Sequence, residues 1–215
     1  MNFREFLIGF SYASVLSVLI PIILLLVSNG SSRLRKTVLI LLLLSLLFDI
    51  GNRLYFYFGY KGYLILNIYT VVEFIVLCYL YSTLLKSTKI IIIYLVIFLV
   101  VFSMCTVFYQ PINDFQNVPM VLESLAVITF SCIHFVDIYR DLPTENLVSY
   151  LPGWVNVSIF YYFAFDFFLF ALSEYIFKNA SPNVSLLLWA GFHSFNNIIK
   201  NLIFATGIYL CNVRD

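Results

Sequence analysis

Lys89-Ile-Ile-Ile-Ile-Tyr-Leu-Val-Ile-Phe-Leu-Val-Val-Phe-Ser-Met-Cys-Thr-Val-Phe-Tyr109 is the stretch that decides the fold class. After Lys89 it carries no charge. An α-helix rises about 1.5 Å per residue, so a run of about 20 apolar residues matches the hydrocarbon thickness of a bilayer. The run is far longer than an ordinary strand and lacks the alternation of a half-buried one. It reads as a transmembrane helix.

Working outward, six further runs have the same character: Phe6–Ser28, Thr37–Phe58, Tyr63–Leu85, Val118–Tyr139, Trp154–Phe177 and Val184–Leu210. Breakers separate the runs: Asn29-Gly-Ser-Ser32, Gly59-Tyr-Lys-Gly62, Lys86-Ser-Thr88, Gln110-Pro-Ile-Asn113, Leu142-Pro143 with Pro152-Gly153, and Asn179-Ala-Ser-Pro182. The expectation is an all-α, polytopic membrane protein, a seven-transmembrane helix bundle forming one domain over residues 1–215. Composition agrees: 62% of residues are hydrophobic and 11% charged, and the mean hydropathy is +0.98. A soluble domain is about half apolar and a quarter charged, and a small one cannot bury so large an apolar fraction. Lipid is therefore the expected surrounding, in a plasma or inner membrane. A net charge of +1 gives no basic footprint for nucleic acid. Cys78, Cys105, Cys132 and Cys211 all lie in or at the end of apolar runs and read as small buried hydrophobes rather than a disulfide framework.

The first run is too long for a cleavable leader and lacks a small-x-small site. Pro21 inside it predicts a kink. Loop charge predicts the orientation. Arg33, Arg35, Lys36, Lys86, Lys89, Arg140 and Arg214 fall on one side, and Arg4, Lys61 and Lys178 on the other. The N-terminus is expected outside and the C-terminus in the cytoplasm. Asp137, Asp141 and Glu145 in the 5–6 loop weigh little in this rule. Tyr55, Tyr57, Tyr60 and Tyr63 at one interface and Trp154 at the other read as aromatic belts.

Polar groups inside the runs carry the functional signal. Asp49, Arg53, Glu73, Asp166 and Lys200 lie near mid-span. At about 2.5–3.5 kcal/mol each on the insertion scale, five of them facing lipid would cost on the order of 12–17 kcal/mol, so they are expected to face one another or a wet cavity. Asp49 and Arg53 stand four apart with Asn52 between them, a spacing suited to a self-neutralised pair. Asn67, Thr70 and Glu73 give the third run a polar face. Asp166 and Ser173, seven apart, share a face of the sixth. The last run carries His193, Asn196, Asn197, Lys200 and Asn201 in a helical stripe. Glu73 has no basic partner in its own helix, so it is expected to be protonated or paired across to Arg53 or Lys200; with Asp49 beside Arg53, Lys200 is the expected partner of Glu73 or Asp166. Glu123 and His134 are about three turns apart on one face of the fifth run, an arrangement a proton relay would use. The aromatic-dense segment Phe160–Phe170 is expected to be mainly a packing surface.

The ligand- or ion-binding candidates are thus Asp49, Asn52, Arg53, Asn67, Glu73, Asp166, His193, Asn196, Asn197 and Lys200. No cofactor is specified. There are two histidines, and neither His-x-x-x-His nor His-Glu-x-x-His occurs, so no metal site is expected; nor does Gly-x-Ser-x-Gly occur. The function expected is a membrane receptor, sensor or accessory subunit. Its polar core would bind a small ligand or proton, or stabilise a complex with a partner membrane or cytoplasmic signalling protein. The alternatives are a proton- or ion-coupled small transporter and a small membrane enzyme of the metal-dependent hydrolase type, the latter using His193, Asp49 and Asp166. A bundle bound together by a polar clasp without chemistry is the reading against which each of these is set.

Overall fold

A computed structural model describes residues 2–28, 32–60, 62–144 and 146–212. Lys61, Glu145, Arg214 and most of the Asn29–Ser32 breaker lie outside the described residues. The described chain is all helical. The first run forms α1 (Phe3–Ser17) and α2 (Leu19–Val27). The helix breaks at Val18, one residue after the Ser17 carbonyl that Pro21, lacking an N–H, leaves without its helical donor. Then come α3 (Arg33–Tyr57), α4 (Leu64–Leu84) and α5 (Lys89–Met104), the last continued by a π-helical turn, Cys105–Tyr109. α6 (Asn117–Asp141) and α7 (Leu151–Asn179) follow. The final run starts with α8 (Pro182–Leu186), passes through a π-helical segment, Leu187–His193, and ends in α9 (Ser194–Asn212).

Six helices are long and apolar enough to cross a membrane, α1 with α2 and α5 with its π turn each counting as one. The run from Pro182 to Asn212 is not among them, because polar side chains occupy the middle of it. It nevertheless lies antiparallel along α7 for most of its length. Asn196 meets Asp166, Ser158 meets the Lys200 carbonyl, and Gly207 meets Trp154. At Gly207 the helices touch so closely that an added Cβ would fall 2.3 Å from the Trp154 Cβ.

Neighbouring helices close a ring. α2 packs on α3, α3 on α4, α4 and α6 on α5, α6 on α7, α7 on α9, and α9 returns to α1 and α2. The loops mark which ends coincide. Tyr63 donates its backbone N–H to Asn113 O at 2.8 Å, tying the α3–α4 loop to the α5–α6 loop. Gly62 makes this approach possible: its φ is +113°, and a Cβ there would sit 2.8 Å from the same carbonyl. At the opposite end Lys86 bonds Asp141 at 2.8 Å, and the Cys211 thiol donates to Ser149 O at 3.2 Å. The Asp141 carboxylate holds the exposed Lys86 ammonium above the usual lysine range.

The ring has two storeys. In the half nearer Lys86, Leu42, Leu77, Leu80, Phe130, Ile159 and Phe204 form a packed apolar core. One polar knot crosses it: the Tyr81 hydroxyl contacts Ser131 Oγ at 2.6 Å and donates to Asn156 Oδ1 at 2.9 Å, and Asn156 Nδ2 donates to Ser131 O at 3.1 Å. The other half is hollow and polar. Outside, apolar side chains face away from the bundle. Ile92, Ile93, Val96, Val100 and Met104 of α5 are each more than half exposed, a surface that hydrocarbon covers at no desolvation cost.

Candidate functional site

Two chambers that share wall residues fill the hollow half. The inner one, about 90 Å³, is lined by Asp49, Glu73, Glu123, His193 and Lys200 among others. The outer one, about 400 Å³, is lined by Ser11, Arg53, Tyr63, Phe115 and Phe177 and lies at the end formed by the α1 N-terminus and the α3–α4 and α5–α6 loops. Asp49, Asn52, Leu66, Trp189, His193 and Asn197 line both chambers. Below Lys200, Leu42, Leu77, Ile159 and Phe204 leave a void of only about 10 Å³. The polar space ends there.

The deepest polar contact joins α7 to the last helix. Asp166 is 0% exposed. Its Oδ2 lies 2.8 Å from His193 Nδ1, and its Oδ1 accepts from Asn196 Nδ2 at 2.9 Å. With Asp166 as a carboxylate, His193 donates through Nδ1 and Nε2 remains as the ring's proton-binding atom. The Tyr161 hydroxyl donates to Asn196 Oδ1 at 3.4 Å, the long end of a hydrogen bond. A π-helical segment re-aims side chains by one residue relative to an α-helix. Here it carries Trp189 at the junction of the chambers and ends at His193.

Lys200 does not pair with Glu73 or Asp166. Among the described residues no carboxylate lies within ion-pair distance of it. Asp166 is already occupied by His193 and Asn196, and the Lys200 ammonium lies over the Tyr162 ring, 4.2 Å from its centre. Nor is Arg53 taken by Asp49, although both stand on one face of α3. Arg53 reaches across to α1, donating to Ser11 O at 3.0 Å and Ser11 Oγ at 2.8 Å, with its guanidinium 4.1 Å from the Tyr12 ring centre. Lys200, Asp49 and Glu73 all line the inner chamber. Glu73 Oε1 accepts from the Tyr69 hydroxyl at 2.7 Å. No protein-family model, curated protein or solved structure matches the chain.

The sequence candidates therefore divide. Asp49, Asn52, Glu73, His193, Asn197 and Lys200 line the inner chamber, and Arg53 the outer. Asp166 and Asn196 stand behind His193 and fix it. Asn67 lies elsewhere: its Nδ2 donates to Ile112 O and Asp114 O, both at 2.7 Å, and clamps the α5–α6 loop. Asn197 also bonds Ser14 Oγ at 2.9 Å, and Asn201 bonds Ser17 Oγ at 2.8 Å. These two bonds staple the last helix to α1.

Several groups were not among the candidates. Ser11, Ser14 and Ser17 form an i, i+3, i+6 stripe that was present in the sequence, but serine is inexpensive inside a helix and signals little by itself. Glu123 belongs to the inner chamber, with 3% exposure and an Oε1 that has no hydrogen-bond partner. His134 is buried on the same helix farther toward the apolar half, and neither ring nitrogen has a partner. The aromatic segment of α7 is split: Tyr162, Phe163 and Phe170 line the chamber, while Phe165 and Phe168 face outward. Among the described residues no three of His, Cys, Asp and Glu are grouped to hold a metal ion.

Proposed function

We propose that this chain is an integral membrane receptor, sensor or accessory subunit of a plasma or inner membrane whose two-chambered cavity binds a small polar ligand from the outside. The observation that carries this reading is a cavity inside the helix bundle lined by ionisable groups that do not neutralise one another by direct contact. A clasp would bring Lys200 onto a carboxylate. Instead Lys200 rests on a ring, and Asp49 lines both chambers without a salt bridge to Arg53. Charged groups kept inside a membrane mark ligand and ion sites, and an aromatic-walled cavity with a few convergent polar groups is the usual form of such a site.

Seven crossings, with the N-terminus outside and the C-terminus in the cytoplasm, belong to the same proposal. Supporting it are the antiparallel course of the Pro182–Asn212 run along α7 and the meeting of Cys211 with Ser149. Loop charge supports the orientation, since Arg33, Arg35, Lys36, Lys86, Lys89 and Arg140 outnumber Arg4 and Lys178 at the opposite ends. The cavity mouth then faces outward, and the basic loops face a cytoplasmic partner. A reporter fused after Asp215 is expected to be active only in the cytoplasm. An extracytoplasmic signal would reverse the orientation and turn the mouth inward.

Ligand binding is tested through Trp189, which lines both chambers and is one of two tryptophans. In a Trp154→Phe background, small amines, carboxylates, amino acids and sugars are titrated against the purified protein. A saturable change in indole fluorescence with at least one class is expected, and none with any class would refute a ligand cavity. A second reading, a proton- or ion-coupled transporter, is favoured by the interrupted helices at the site, the break at Val18 and the π segment Leu187–His193. Proteoliposomes loaded with a pH dye separate the two, because only a transporter would move protons when ligand and ion gradients are imposed.

A further inference from the structure

We propose that the ligand of this cavity is a small organic ammonium ion, held by the carboxyls of Asp49, Glu73 and Glu123 and by the aromatic walls of Tyr69 and Trp189. The proposal rests on the cavity being a binding site and names its ligand class.

Charge is the first ground. His193 is committed to Asp166, and Arg53 is held in the outer chamber by Ser11 and Tyr12. Lys200 is then the one ammonium facing three carboxyls in the inner chamber among the described residues. Carboxylates in such surroundings are unfavourable until a cation or a proton joins them. Glu123 makes the deficit concrete. It is 3% exposed, it lines the chamber, and its Oε1 lacks any hydrogen-bond partner. A buried acceptor of this kind calls for a donor that the protein itself does not provide.

The wall supplies the second ground. Tyr162 already holds an ammonium, that of Lys200, at 4.2 Å from its centre, so the chamber recognises this group by its own example. Tyr69, Phe170 and Trp189 present further rings to the same space. Rings attract alkylammonium ions through their negative faces, whereas a hard metal cation asks for a shell of oxygens. The third ground is space and access. The inner chamber suits a small head group, and the outer one, which shares Asp49 and Trp189 with it, takes an alkyl substituent. In this arrangement Lys200 is a tethered competitor whose charge opposes the guest.

The test uses the full chain with Trp154→Phe, in nanodiscs at constant ionic strength. Propylammonium and tetramethylammonium are compared with propanol, propionate and glycine. The ammonium ions are expected to change Trp189 fluorescence saturably, at concentrations about tenfold or more below any effect of the others. Glu123→Gln and Glu73→Gln, which keep side-chain volume, are each expected to weaken that binding by about tenfold, and Lys200→Met to tighten it by about tenfold. Should Lys200→Met fail to fold, the two glutamine variants decide. Saturation by propionate, glycine or propanol in place of the ammonium ions would overturn the ligand class and leave the cavity reading standing. No saturation by any probe would overturn both. Ammonium binding that neither glutamine variant weakens, or that sodium reproduces, would also overturn the proposal.

Discussion

Asp166→Leu lowers the unfolding free energy by about 2–5 kcal/mol, the cost of leaving two donors, His193 Nδ1 and the Asn196 amide, without their acceptor. Asp166 is fully buried, and its two oxygens bind His193 and Asn196, so leucine orphans the His193 Nδ1 and the Asn196 amide together. Asp166→Asn keeps an acceptor for Asn196 and is expected to lose only about 1 kcal/mol, the net worth of one altered hydrogen bond. The measurement is denaturant unfolding in detergent micelles followed by circular dichroism. A second comparison separates a network from independent contacts: adding His193→Ala to Asp166→Leu should cost far less than His193→Ala alone, because the pair is already broken. Additive losses, or a leucine variant within about 1 kcal/mol of the wild type, would show that the Asp166–His193 contact does not hold the site.

How far this site could be read from the sequence depends on the type of residue. Helices were legible because length and hydropathy are local properties: each expected run is helical to within a few residues of its ends, and Pro21 marked the break at Val18. The outlier is the last run, where five polar residues in one stretch depress the hydropathy that identified the other six. Ionisable residues were legible as a class, since charge within an apolar run is conspicuous. Their partners were not. Asp49 and Arg53 do share a helical face, but same-face spacing does not tell whether a long side chain turns to its own helix or to the next. The deciding groups, Ser11 and Tyr12, lie on α1 about 40 residues away. Pairing Lys200 with a carboxylate looked natural on charge alone. A tyrosine ring as its seat is invisible to charge counting, and Tyr162 was one aromatic in a segment full of them. Asn67 shows the converse. It falls on the polar face that includes Glu73, but its location beside the α5–α6 loop makes it a clamp. Topology, not periodicity, separates these roles.

Lys200→Met is expected to destabilise the protein by about 2–4 kcal/mol, because it takes the one ammonium from a chamber lined by several carboxyls. The informative part is how that loss is recovered. A lysine paired with a single carboxylate would be rescued by neutralising that carboxylate alone. Here Lys200 touches none of them directly and shares the chamber with both Asp49 and Glu73 from its place on Tyr162. In the Lys200→Met background, Asp49→Asn and Glu73→Gln should therefore each restore about 1 kcal/mol, within the usual range of coupling between neighbouring charges. Asp166→Asn should restore nothing, since that carboxyl is matched by His193 and Asn196. Double-mutant cycles on unfolding free energies in micelles measure each coupling. Rescue confined to Glu73→Gln would reinstate a one-to-one pair that the ring contact conceals. Equal rescue by all three would mean that the chamber responds to net charge alone, with no distinction between carboxyls that face the cavity and the one that stands behind it.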